Sequence, residues 1–506
     1  MGLYDFTFYD LINRNALAFG SRICWREIDD GRQVTFAEYK QMVDMLAGGL
    51  ADAGIVKGDR IGVLGKNSLE FFLLYGAAAF LGCVVLPINW RLSADEVCYN
   101  LNDCQAKIAF VDAEFQHILE SKQGDLPTIG SYYNLKGDNG AALKFSLLSA
   151  GSKQAIPAEV TASDGFVIIH TAAVAGHPRG ALLSHGNILC AHMHFSCTMA
   201  FTQQDVHVNL LPLFHVAGLF MATSTFHAGG TSLNVSKFDA AEVAQLIEKY
   251  GATLFFDFPP ILDSILKAAA KNGDDLSSLR AVVGLGTPEV IEQFQATIGG
   301  IYYAMYGQTE TSCLATFGKY DDRPGSAGKT IMLGDVQLVD DDDQAVGIGE
   351  VGEITVKGPM VFLGYWGLPE DNDHAFRGGR HHTGDLGRFD SDGFLFYAGR
   401  KAEKELIKPG GENVYPAEVE KIILLHPAVA ETVVIGVPDP KWKEGIKAVC
   451  QLHAGKTLTA AELIAFVGDR IARFKKPQYV EFVDAFPLKK DGTPDRQAVK
   501  IRYGQA

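Results

Sequence analysis

The chain has 506 residues, of which 47% are apolar and 21% charged, with 54 Gly and 19 Pro. That is ordinary globular usage and too long for a single hydrophobic core, so at least two domains are expected. The net charge of −15 argues against a nucleic-acid-coating surface and against an anionic-membrane binder.

Eight cysteines are scattered without a C-x-x-C pair. They read as buried thiols of a reducing compartment, and the expected location is cytoplasmic. The first residues, Met1 to Phe6, carry no basic segment followed by an apolar run, so no targeting signal is read there. Asp59–Leu64 suggests a buried strand. Phe71 to Trp90 is twenty residues without a charge, the length of a membrane span. Gly82 and Pro87 break it, which predicts a buried helix over Phe71–Leu81 and a short strand at Cys83–Leu86.

Ala106–Val111 and Gly165–His170 continue the series of buried strands with helical patterns between them, and Ala252–Phe256 and Ala281–Gly284 repeat it further on. Alternation of this kind predicts parallel sheets covered by helices on both faces. From about Gly325 to Gly399 the texture changes to short strands such as Glu353–Val356 and Gly393–Tyr397, which suits a smaller β region. A last boundary is expected after Arg400. Residues 401–506 hold 17 Lys+Arg against 14 Asp+Glu, a net +3, and leave −18 on residues 1–400. A relatively basic small domain facing an acidic body suggests a lid over an anionic ligand.

Two motif matches fail on context. Gly347-Ile348-Gly349-Glu350-Val351-Gly352 fits G-x-G-x-x-G, but it follows the acidic run Asp340–Asp343 and leads into a strand. No helix N-terminus is then available for a pyrophosphate. Cys190, His192, His194 and Cys197 do not share one face of a helix, so they make no metal site. Thr171 to Gly180, ending in Gly176-His177-Pro178-Arg179-Gly180, follows a strand. It reads equally well as a phosphate-facing loop of backbone N–H groups with one guanidinium, or as a plain strand-to-helix turn.

Taken in order with Leu211–Gly218, Gly284–Pro288, Tyr306-Gly307-Gln308-Thr309-Glu310, His382-Thr383-Gly384-Asp385-Leu386-Gly387, Tyr397–Arg400 and Lys408–Pro416, this segment resembles the adenylate-forming acyl-CoA synthetase and luciferase superfamily. The resemblance covers nearly the whole chain. It implies an α/β fold: a large N-terminal domain (1–400) of two doubly wound sheets plus a small β-barrel-like region, and a small mobile α+β C-terminal domain (401–506) hinged near Lys404-Glu405. It also implies ligase chemistry, in which ATP and a small-molecule carboxylic acid give an acyl-adenylate and pyrophosphate, and coenzyme A then takes the acyl group. Mg²⁺ and a homodimer are the family's usual companions.

Carried over residue by residue, the resemblance makes Glu310 the Mg²⁺ ligand and Thr309 a hydroxyl donor to the α-phosphate. Asp385 accepts both ribose hydroxyls, and Arg400 reaches ribose and phosphate. Tyr306, Gly307 and Gln308 with Gly286-Thr287-Pro288 hold the adenine, and Thr171, Gly176, Arg179 and Gly180 the phosphates. His215 lies beside the reacting carboxylate. Phe255, Phe256, Asp257, Phe258 and the stretch Ile301–Met305 line or support the acyl pocket, with Asp257 its one polar oddity. Lys408, Gly410, Gly411 and Lys475 line the CoA path.

Two departures fall on the chemistry. Ala172, Ala173, Val174 and Ala175 replace hydroxyls and one glycine of the phosphate loop, and Arg179 replaces a lysine; each lost bond to a charged group weakens ATP binding by about 1.5–3 kcal/mol. Thr493 stands where the family places the lysine that neutralises the α-phosphate, and Lys490, across the Asp491-Gly492 turn, is the candidate substitute. Besides a forward ligase, the sequence leaves open the same chemistry run in reverse, the thioester half alone, or a non-catalytic acyl-CoA or nucleotide binder.

Overall fold

In a computed structural model, residues 5–136, 143–150, 157–171, 178–401, 406–412, 414–440, 442–489 and 493–505 are described. The predicted apolar helix runs Leu69–Leu81. Ser68 caps its N-terminus by accepting from the Phe71 N–H, and Gly82 ends it in the left-handed conformation, the usual start and stop. All but Glu70 of its side chains are buried, so it is a core helix. No described helix is long and apolar enough to cross a membrane.

Strands Val84–Ile88, Arg60–Leu64, Ile108–Val111, Ser131–Asn134 and Gly165–Thr171 form the parallel part of a seven-stranded sheet. Gly165–Thr171 then pairs antiparallel with Arg179–Ser184. The strand-to-helix reading is therefore corrected: a second strand precedes helix His185–Met199.

A nine-stranded sheet has six parallel strands at its centre: Ile301–Tyr306, Ala281–Gly284, Leu254–Asp257, Val206–Asn209, Thr231–Asn234 and Ile23–Glu27. The two-residue period decides which side chain meets which layer. Leu254 and Phe256 enter the largest core while Phe255 enters a second, and Tyr303 and Tyr302 divide the same way. That largest core joins inward residues of both sheets, such as Val63 and Phe166 from one and Phe256 from the other, to helices Phe36–Asp52, Leu69–Leu81 and Val216–Ala228. Helices Ala240–Tyr250, Ile261–Asn272 and Pro288–Ile298 cover the other face of the nine-stranded sheet, and Ala94–Asp103 the other face of the seven-stranded one.

The small β region is a four-stranded antiparallel sheet of Asp335–Val339, Gly352–Lys357, His381–Phe389 and Leu395–Arg400. The Gly347–Gly352 segment enters its second strand from a turn. Residues from Ile407 onward build two further cores around strands Val429–Asp439, Lys443–Leu452 and Tyr479–Phe482, and share none with the rest of the chain. Lys401 still belongs to the first body: its N–H donates to the Gly384 carbonyl and its ammonium pairs with Glu353 at 3.1 Å. The hinge candidates Lys404 and Glu405 lie outside the described residues, as do Gly176 and Lys490.

Candidate active site

A cleft of about 1620 Å³ opens at the carboxyl ends of the parallel strands and extends to the second domain, where open α/β sheets place their ligands. The loop Leu211–Phe214 leading to His215 is held from below. Asn67 donates its amide to the Leu211 carbonyl at 2.8 Å and accepts from the Leu213 N–H at 2.7 Å, while the Tyr75 hydroxyl donates to the Leu213 carbonyl at 2.8 Å. His215 is the N-cap of helix Val216–Ala228, and its Nδ1 accepts from the Ala217 N–H at 3.3 Å. Burial, then Lys408 and Arg91, push its pKa down to about 4. The imidazole is therefore neutral near pH 7, with its proton on Nε2.

Phe258 meets the His215 ring edge-on at 6.0 Å and stacks on Phe256 at 5.4 Å. With Met305, these rings make an apolar recess of the cleft. Asp257 is not part of that recess, which corrects its expected place. Strand alternation turns it to the other face, 1% exposed, where its carboxylate accepts from the Leu262 N–H at 3.0 Å and the Tyr302 hydroxyl at 3.1 Å. The Tyr302 oxygen in turn accepts from the Gly286 N–H at 2.6 Å. Asp257 thus props the Gly284–Gly286 turn through Tyr302. Gly286 and Pro288 reach the cleft wall; Thr287 and Gly180 do not.

Beyond strand Ile301–Tyr306 the chain doubles back. A Cβ on Gly307 would lie 2.0 Å from the Cys313 carbonyl oxygen, so only glycine fits. Ser312 and Cys313 both take positive φ, 51° and 81°, and backbone of this kind costs about 1–3 kcal/mol per residue. The turn sets Thr309 and Glu310 on the cleft wall. The Glu310 carbonyl accepts from the Phe362 N–H at 3.0 Å, and the Ser312 hydroxyl donates to the Met360 carbonyl at 2.6 Å.

Glu310 Oε1 accepts from the Tyr365 hydroxyl at 2.8 Å and the Thr171 hydroxyl at 3.5 Å. Among the described residues Oε2 accepts nothing, so this buried carboxylate has one oxygen without a donor. Arg179 lies with its guanidinium 3.9 Å from the Tyr365 ring centroid and pairs with Asp371 at 2.8 Å.

The opposite wall comes from the four-stranded sheet. Asp385 Oδ1 accepts from Arg400 Nε at 2.8 Å and the Tyr397 hydroxyl at 3.4 Å; Oδ2 accepts from the Tyr306 hydroxyl at 2.8 Å and the Gln308 amide at 3.4 Å. Just before it, the Gly384 N–H donates to Glu353 at 2.8 Å. Burial of Glu353 opposes its charge, but hydrogen bonds from His382, Gly384 and Lys401 hold its carboxyl far below the usual range.

This order of elements around one cleft is matched by known proteins. Residues 12–366 match the AMP-binding enzyme family, and residues 418–493 the AMP-binding enzyme C-terminal domain. The chain is an AMP-binding enzyme. It is similar to the fatty acid–[acyl-carrier-protein] ligase ScoC of Streptomyces coeruleorubidus, 30% identical over 94% of this chain and 92% of that one. It is 32% identical to a feruloyl-CoA synthase of Amycolatopsis sp, over 94% and 95% of the two chains. Among solved structures it resembles o-succinylbenzoate CoA synthetase from Bacillus subtilis bound with its product analogue, at 27% identity, a TM-score of 0.88 and 98% of each chain.

The second domain of this AMP-binding enzyme adds Lys408, Gly410 and Glu412 to the cleft, with Gly411 following Gly410 in the same turn. Lys475 also lines the cleft, with its ammonium already engaged. It is 3% exposed and paired with Glu96 at 2.6 Å and Glu418 at 2.5 Å, which ties the two domains together. Sequence reading passed over Tyr365, Asp371 and Glu96, because each acts through a partner distant in the chain. Cys190, His192, His194 and Cys197 form no cluster: His194 contacts Cys190 at 3.9 Å, whereas His192 bonds Thr223 and His227.

Proposed function

We propose that this AMP-binding enzyme is an AMP-forming carboxylate–CoA ligase for a small or medium apolar acid, aromatic, alicyclic or aliphatic. What carries the reading is the sharing of one cleft by Thr309, Glu310, Asp385 and Arg400 with the apolar recess of Phe256, Phe258 and Met305, and a neutral His215 at their junction. Two anions have to meet there, so the site must cancel charge and fix geometry.

The carboxylate oxygen attacks the α-phosphorus, and the bond to the bridging oxygen breaks as pyrophosphate leaves. Arg400 faces the α-phosphate, Thr309 donates a hydroxyl to it, and His215 Nε2–H donates to the acid. The ribose hydroxyls take the places on Asp385 of its two 3.4 Å donors, Tyr397 and Gln308. Tyr306 and the Gly286 turn hold the adenine; Thr171 and Arg179 face the outer phosphates. Magnesium, when bound with ATP, supplies positive charge to the phosphate oxygens, and Glu310 Oε2 is the carboxylate oxygen available to hold it. The CoA sulfur then attacks the acyl carbonyl and AMP leaves. The presence of Lys408 and Gly410 at the cleft supports acyl transfer with the domains as they stand.

The aromatic acyl groups in the names of two relatives favour an aromatic acid. A second reading, the same chemistry run from acyl-CoA or the thioester half alone, is favoured by the Arg179–Asp371 pair, which neutralises the phosphate-loop cation. The test is AMP release from ATP, Mg²⁺ and CoA across a panel of acids, beside acyl-CoA consumption with AMP and pyrophosphate. Forward turnover is expected. Turnover in reverse only selects the reverse reaction, and silence in both directions selects a thioester-only enzyme or a non-catalytic binder.

A further inference from the structure

Adenylation needs a cation at the α-phosphate, and the residue at the usual place for it is Thr493. That residue is exposed in a hairpin, where its carbonyl accepts from the Lys489 N–H at 2.8 Å, and it is not on the cleft wall. The domain orientation is instead pinned by contacts that keep a different segment at the cleft. Glu412 pairs with Arg91 at 2.9 Å, Lys475 with Glu96 at 2.6 Å, and the Ala472 N–H donates to Glu96 at 3.1 Å.

That segment is a tight loop closed by reciprocal backbone bonds between Ile407 and Val414 at 2.8 and 2.9 Å. Ile407 and Val414 are wholly buried, which fixes the loop. The Lys408 N–H donates to Glu444 at 2.7 Å, and its side chain projects into the cleft. Most other lysines there are engaged: Lys66 with Glu114, Lys401 with Glu353, Lys475 with its two glutamates. Lys408 has no ion pair among the described residues, and it stands close enough to Arg400, Asp385 and His215 to interact electrostatically with all three.

We propose that Lys408 supplies the adenylation cation in this chain, contacting an α-phosphate oxygen from the domain orientation seen here. The inference rests on the ligase reading. Burial and the neighbouring Arg400 lower the Lys408 pKa while Asp385 and Glu444 raise it; in the step Lys408 acts as an ammonium and gives up no proton, the acid's oxygen forms the new bond to phosphorus, and the bridging oxygen leaves with its electron pair on pyrophosphate. Adenylation and thioester formation then need no exchange of the lysine at the site.

The test measures pyrophosphate release without CoA, using whichever acid the panel selects. In a second assay, CoA is added to preformed acyl-adenylate. Lys408→Ala is expected to lower the adenylation kcat by about 10²–10³, with a smaller change in KM for ATP. Lys408→Arg is expected to keep it within about tenfold, and Thr493→Lys to restore adenylation in the Lys408→Ala background. The proposal is overturned if Lys408→Ala adenylates within threefold of wild type, if Thr493→Lys alone accelerates wild type a hundredfold, or if Lys490→Ala rather than Lys408→Ala loses the step. A wild type that releases no pyrophosphate with any acid but still makes acyl-CoA from acyl-adenylate refutes the forward reading itself, a pattern that none of the variant results mimics.

Discussion

The role proposed for His215 depends on its protonation state. Burial and the cations Lys408 and Arg91 hold its pKa at about 4, so the ring stays a neutral donor over the working range and an incoming carboxylate meets no imidazolium. The expected result is a kcat/KM profile with no imidazole limb between about pH 5.5 and 8, since ordinary histidine titrates near 6.5. A limb near 6.5 that disappears in His215→Asn would contradict the assignment. Asp257 teaches a different lesson at the same scale. A lone carboxylate in an apolar run invites a place in the substrate pocket, but alternation along a strand turns neighbours to opposite faces, and its partner Tyr302, 45 residues away, is found only when the strands are in register.

At the level of elements, the turn after strand Ile301–Tyr306 shows how the sheet aims its chemistry. Gly307 permits the close approach of Cys313, and two positive-φ residues follow Glu310. Gly307→Ala forces a Cβ into a carbonyl oxygen, so we expect a loss of at least about 1–3 kcal/mol, read by urea unfolding, together with a larger fall in activity than in stability-matched core variants. A Gly307→Ala protein that unfolds and turns over like wild type would show that the turn tolerates a side chain. The motif from Tyr306 to Glu310 was legible because its small and polar residues sit together in sequence. The props behind it, Tyr365 and the Met360–Phe362 segment, were not, because hydrogen bonds across 48 to 55 residues leave no local pattern.

For the whole molecule, the cores divide after Leu395. Two small cores from Ile407 onward share no residue with the larger ones, and the contacts named between the bodies are ion pairs and one hydrogen bond to a carboxylate. Interfaces of that kind couple domains weakly, so calorimetry is expected to resolve two unfolding transitions, the smaller of them belonging to the second domain. One cooperative transition would contradict this. The alternation of buried strands and helical patterns, with Gly and Pro between them, determined the layered α/β body by itself, because period and punctuation are local properties that each segment carries wherever it is placed. The order of motifs likewise determined the family. Only the tertiary structure decided that Asp257 supports a turn, that Lys475 is spent in an interdomain ion triad, that Asp371 neutralises Arg179, and that Lys408 rather than Thr493 faces the cleft. Each of those outcomes depends on which charged or polar group lies a few ångströms away, and that distance is set by strand register and domain docking rather than by spacing along the chain.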